Sequence, residues 1–155
     1  MIVDAAPMPL RLGLAFAAYA GLRRAEITAL TSADVQTFGR PVVMVRLGKG
    51  AKDRVVPLVA RLVAMVLERR TDGRLVPLTP RTLGAQAARH MRELGYDCTI
   101  HQLRHAYGTE AARVLDGNVV AVGGLMGHSS PNTTQGYIGW AGGETADRLA
   151  LLYVA

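Results

Sequence analysis

The chain has 155 residues, half of them apolar, which is enough for one domain with a real core and too apolar for disorder. One cysteine (Cys98) rules out an internal disulfide, no run of about 18 apolar residues suggests a membrane span, and the opening "MIVDAAPMPL" lacks the features of a secretory signal, so the expected compartment is the cytoplasm. The net charge of +6 is unevenly spread: residues 40–93 hold twelve Lys/Arg against four Asp/Glu, and this basic middle points to a polyanionic partner, most simply nucleic acid.

In chain order, "PLRLGLAFAAYA" is apolar nearly all round and reads as a buried helix interrupted by Gly21. "RRAEITAL" resumes as a short helix and "TSAD" as a turn. "VQTF", "PVVMVRL" and "RVVPL" read as three strands of a small antiparallel sheet, the last two joined by the glycine- and lysine-rich "GKGAKD". "VARLVAMVLERR" is an amphipathic helix. In "LTPRTLGAQAARHMRELG", Thr79 suits an N-cap, Pro80 the first helical position and Gly95 the stop. "YDCTI" looks buried, and Thr99 to Gln102 matches a capping box that opens the next helix. Glycines should break "GNVVAVGGLMGHSSPNTTQGYIGW" into short helical pieces before a closing helix, "GGETADRLALLYV". The expected fold is α+β and mostly α, one domain over residues 1–155 with a three-stranded antiparallel sheet.

The stretch "HQLRHAYGTE", residues 101–110, carries the chemistry. On a helix, His101, Arg104 and His105 fall on one side. Three readings compete. A His-x-x-x-His pair can bind zinc, but an intervening arginine repels a cation and no carboxylates stand beside it. The cluster can also be a polar patch that merely caps and solvates. The third reading is an oxyanion site, in which arginine matches two phosphate oxygens at once and histidine adds a donor or proton carrier. An oxyanion site needs further cations, and the chain offers them. Arg23 follows a glycine at a helix start with Glu26 three residues on. Lys49 lies between two glycines at the hairpin tip. His128 is followed nine residues later by Tyr137.

Taken together, "AGLRRAEITAL", "LGKGAKDRVVPL", "HQLRHAYGT" and "LMGHSSPNTTQGYI" resemble, in family order, the four blocks of the catalytic domain of tyrosine recombinases, the phage-integrase family. They span residues 21–138. The resemblance implies site-specific DNA recombination by strand cleavage and rejoining, with no cofactor and no metal. It implies that Arg23 and Arg104 bind the scissile phosphate, that His101 and His128 donate hydrogen bonds and manage the proton, and that Lys49 protonates the leaving 5′ oxygen. Tyr137 would attack phosphorus to give a 3′-phosphotyrosyl link. Glu26 and His105 would support the site. Arg24, Lys52, Arg54 and Arg81 are expected to contact the duplex.

Relatives carry an N-terminal clamp domain that this chain is expected to lack, as an excised catalytic domain would. The resemblance also implies self-association into a dimer or tetramer on double-stranded DNA through the C-terminal helix, with accessory DNA-bending proteins in some systems. Two alternatives stay open: a type IB topoisomerase-like nicking-closing enzyme, and a module that only binds duplex DNA. Outside the blocks, His90 reads as a surface residue, Tyr107 as core and Tyr153 as helix packing.

Overall fold

A computed structural model describes residues 2–46, 53–69 and 71–127 of the chain. Leu10–Ala20 forms the first helix, α1, with Leu10, Leu12, Leu14, Phe16 and Tyr19 all buried. Burial on successive residues means the helix is enclosed on every side, as its unbroken apolar run requires. Gly21 ends it in the left-handed conformation (φ 64°), a backbone state that glycine adopts without steric cost. Arg24–Ala29 forms α2, and Ser32–Asp34 a single 3-10 turn.

The sheet follows as β1 (Val35–Gln36), β2 (Val42–Val45) and β3 (Arg54–Pro57), antiparallel in that order. Val43 stands opposite both Val35 and Val56. Val43 and Val45 face the core and Met44 faces out, the two-residue alternation of a sheet with one covered face. The expected three strands are therefore present, the first of them only two residues long.

Ala60–Glu68 forms α3, which buries Leu62, Met65 and Val66. Its Arg61 pairs with Asp4 and lies 5.8 Å over the ring of Tyr19. Pro80–Glu93 forms α4, opened as expected by Thr79, whose hydroxyl accepts the Thr82 N–H at 3.1 Å. Its buried face is Leu83, Ala87, His90 and Met91. His90 is thus not on the surface, as its basic neighbours suggested. It is buried, and its Nε2 lies 2.9 Å from the carbonyl oxygen of Ile2.

Ile100–Val114 forms α5, opened by the expected capping box: the Thr99 N–H donates to Gln102 Oε1 at 2.7 Å. The preceding "YDCTI" is not a buried segment. Gly95 (φ 83°) ends α4, Tyr96 is 51% exposed, and of these five residues only Ile100 is buried, with Cys98 half-buried against the core. Val119–Met126 forms α6, capped by the Asn118 side chain accepting from the Ala121 N–H at 3.1 Å. Here too the expectation changes, because α6 runs unbroken through Gly123 and Gly124 and stops at Gly127 (φ 64°). The expected closing helix lies outside the described residues. Among the described residues, no helix is long and apolar enough to cross a membrane.

The architecture is mostly helical around one small sheet. Helix α1 is the hub, packed against α2, α3, α4 and α5, while α6 packs on α5 and β3. The beginning of α2, the end of α6 and the inner face of α5 meet beside that hub.

Candidate active site

Three arginines from three elements converge where α6 ends. Arg23 precedes α2, Arg54 opens β3 and Arg104 projects inward from α5. Each donates to a different one of three consecutive carbonyls. Arg54 Nε donates to Leu125 O at 2.8 Å, Arg104 Nη2 to Met126 O at 2.6 Å, and Arg23 Nη2 to Gly127 O at 2.8 Å. The last carbonyls of a helix lack intrahelical partners and carry its negative dipole end, so cations there are favoured. Gly127 permits the approach: a Cβ at that position would fall 2.7 Å from Nη1 of Arg54 and 3.2 Å from Nη1 of Arg23.

Glu26 joins two of these arginines. Its carboxylate accepts both Nη atoms of Arg54, at 2.9 and 2.8 Å, in the fork geometry that makes such pairs strong. It also accepts Arg23 Nη1 at 2.9 Å and the Arg23 backbone N–H at 2.7 Å. Burial alone would raise its pKa. The hydrogen bonds and charge of Arg54, with the two bonds from Arg23, outweigh that and hold it below the ordinary glutamate value. Arg104 also donates through Nη1 to the carbonyl of Gly21. Its burial and, next, the nearby Arg23 charge push its pKa down to about 10, so it stays fully charged at neutral pH. Three guanidiniums thus cluster around one carboxylate that bonds two of them, which leaves an excess of positive charge among the described residues.

That charge borders a recess of about 320 Å³, lined by Leu22, Arg23, Arg24, Pro80, His101 and Arg104 among others. Arg23 retains 41% side-chain exposure, whereas Arg104 is almost wholly buried. His101 is exposed, and its Nε2 lies 2.9 Å from Nε2 of His105 with the rings edge to face. Its pKa is lowered from 6.5, first by burial, then by the charges of His105, Arg104, Arg24 and Arg23. It is therefore neutral at pH 7, able to donate from one ring nitrogen and accept at the other. Among the described residues, no third His, Cys, Asp or Glu joins this pair in a group that could hold a metal ion.

Five of the expected site residues meet here: Arg23, Glu26, His101, Arg104 and His105. Arg24 is exposed at the edge of the recess and lies across α4, where Gly84 makes room for its guanidinium. Arg81 is exposed in the first turn of α4. Arg54 requires a correction. Its basic hairpin suggested a duplex contact, but the side chain is 5% exposed and wholly engaged with Glu26 and Leu125 O. It holds the site from behind. Lys49, Lys52, His128 and Tyr137 lie outside the described residues.

The model for the phage integrase family matches residues 2–141. The chain belongs to the phage integrase family. It is 37% identical over 134 residues to the tyrosine recombinase XerA of Thermococcus onnurineus, covering 76% of this chain and 46% of that protein. It is 34% identical over 152 residues to the tyrosine recombinase XerC of Bradyrhizobium diazoefficiens, covering 88% and 45%. The chain therefore spans about half the length of these curated relatives. Among solved structures, the integrase from mycobacterium phage Brujita superposes with a TM-score of 0.78 at 23% identity, covering 96% of this chain and 54% of that one. An XerA recombinase gives 0.69 at 25% identity, covering 97% and 60%. The XerH site-specific recombinase bound to palindromic difH substrate, in a post-cleavage complex, gives 0.66 at 23% identity, covering 90% and 46%. The fold of these solved structures is the one described above.

Proposed function

We propose that this chain is the catalytic part of a site-specific recombinase that cleaves and rejoins duplex DNA through a covalent tyrosine intermediate. One observation carries the reading. Arg23 and Arg104, from separate elements, converge on a single recess beside His101, with more positive charge than Glu26 can balance. A phosphodiester under attack builds charge on its nonbridging oxygens, and preorganised guanidiniums stabilise that charge as it forms. The relatives named as tyrosine recombinases, and a Tn1549 transposon integrase neighbour in complex with transposon right end DNA, support duplex DNA as the partner. The site of action would then be the cytoplasm.

In this reading Tyr137 is the nucleophile. Its oxygen bonds to phosphorus as the bond from phosphorus to the 5′ oxygen breaks. The phenolic proton passes to His101 or His128, and Lys49 gives a proton to the departing 5′ oxygen. The energy of the broken ester is kept in the new one, so a second 5′ hydroxyl can reverse the step on another duplex.

The test is covalent trapping. The chain is mixed with nicked duplexes carrying candidate recombination sites, in EDTA, and assayed for an SDS-resistant protein–DNA adduct. Wild type should give the adduct, and Tyr137→Phe and Arg104→Ala should not. An adduct that survives Tyr137→Phe would refute the assignment of the nucleophile. On intact supercoiled DNA, relaxation without exchange between two sites would point instead to a nicking-closing enzyme. Duplex binding unaffected by Tyr137→Phe, with no adduct from any form, would point to a binding module.

A further inference from the structure

We infer that Arg54, which touches no substrate in the reading above, is a positioning residue that sets the register of the phosphate-binding arginines. The inference deepens the proposed function and rests on it. Three observations carry it. Arg54 is buried, yet all three nitrogens of its guanidinium have placed partners: both Nη atoms on Glu26 and Nε on Leu125 O. Glu26 in turn fixes Arg23 twice, at its backbone N–H and its Nη1. Finally, Leu125 O is the first of the three successive carbonyls whose other two are held by Arg104 and Arg23. Arg54 is therefore the common strut between the carboxylate that aims Arg23 and the helix end that Arg104 and Arg23 share.

The geometry of the fork matters more than the charge. Lysine at this position could supply a positive charge to Glu26, but it cannot engage both carboxylate oxygens and a carbonyl behind it in one plane. Arg23, Arg54 and Arg104 also repel one another, so their spacing depends on Glu26 and the carbonyls standing between them. Loss of the strut should let Arg23 and Arg104 drift, and a misplacement of about 1 Å at a catalytic centre can cost on the order of 100-fold in rate.

The test uses two versions of the nicked duplex, one with the natural phosphodiester at the cleaved position and one with a neutral methylphosphonate there. The methylphosphonate lacks the charge that the arginines neutralise. Single-turnover adduct formation is measured at saturating protein for wild type, Arg54→Met, Arg54→Lys and the double variant Arg54→Met with Glu26→Leu. Thermal unfolding is followed in parallel. The double variant removes both buried charges together, an exchange that proteins often tolerate without loss of stability.

Arg54→Met should slow the phosphodiester by about 100-fold and the methylphosphonate by less than about tenfold. Arg54→Lys should fall between wild type and Arg54→Met. The double variant should regain thermal stability without regaining the phosphodiester rate. Equal slowing on both substrates, or a rate that recovers together with stability in the double variant, would overturn the inference. Should Arg54→Met fail to fold, the comparison of the two substrates in Arg54→Lys still decides it. Absence of an adduct from wild type would fail the proposed function itself, a result distinct from either.

Discussion

Gly21 is the position where a single methyl group should report most clearly on how the site is assembled. It has φ 64°, and an added Cβ would fall 2.7 Å from Cε1 of Tyr107, closer still to Cδ1, and 3.1 Å from Sδ of Met126. Tyr107 is 1% exposed and Met126 3%, so neither can swing into solvent. Placing an L-residue in the left-handed region costs about 1–2 kcal/mol. Overpacking a closed core adds about 1–3 kcal/mol, so Gly21→Ala should destabilise the chain by about 2–5 kcal/mol. Gly39 provides an internal control. It has φ 69°, but the nearest atom to its Cβ would be Gln36 Nε2 at 4.0 Å. Gly39→Ala should therefore show the backbone cost alone, about 1–2 kcal/mol. Urea denaturation at constant slope measures both, and for a chain of this size each kcal/mol corresponds to about 2–4 °C in Tm. Because the Gly21 carbonyl accepts from Arg104, adduct formation should fall in Gly21→Ala even well below its Tm. If Gly21→Ala costs no more than Gly39→Ala, the close packing of α1 on α5 at this point is wrong.

Glu26→Gln leaves Arg54 buried without its charge partner and should cost about 3–5 kcal/mol in urea denaturation. Since Glu26 titrates lower in the folded chain than its ordinary 4.5, its contribution is complete above that value and is lost as pH falls through its folded pKa. The urea midpoint of wild type should thus drop more steeply below pH 4.5 than that of Glu26→Gln, and parallel curves would count against the pairing. His101, with its pKa lowered from 6.5, should keep adduct formation steady until the pH falls below that value, and His101→Gln should abolish the step. Arg24→Ala and Arg81→Ala should each weaken duplex binding evenly across sequences and reduce its salt slope by about one, as loss of a phosphate contact does. Deletion of residues 143–155 should leave duplex binding and abolish strand exchange; retained exchange would sink the idea that this segment docks on a neighbouring subunit.

The parts legible in the sequence were those governed by neighbours in the chain. Thr79 with Pro80 and Thr99 with Gln102 open helices by contacts three residues long, and both helices begin there. The alternation of Val43, Met44 and Val45 likewise placed β2. Arg54 reads as a duplex contact because its partners lie 28 and 71 residues away, beyond any local pattern. A signal did exist for His90: it stands seven residues after Leu83 and three after Ala87, on the stripe that also carries Met91. Its basic neighbours mask that spacing. In "YDCTI" the apolar letters misled, because Gly95 turns the chain out over the surface before Ile100 dips back. The glycines of α6 did not break it, because its Asn118 cap and the three arginines at its end hold both termini.

Three arginines on three successive carbonyls also tie together the fluctuations of the elements they come from. For the end of α6 to open, β3, α5 and the start of α2 must each release a guanidinium, and Arg54 cannot leave without exposing Glu26. Opening there should therefore be all or none. Amide exchange at the last turn of α6, a segment of eight residues that would fray quickly alone, should be as slow as in α5 and share its sensitivity to denaturant. Fraying and the capture of an anion then become one equilibrium, because phosphate drawn into the recess competes with the same carbonyls for Arg23 and Arg104.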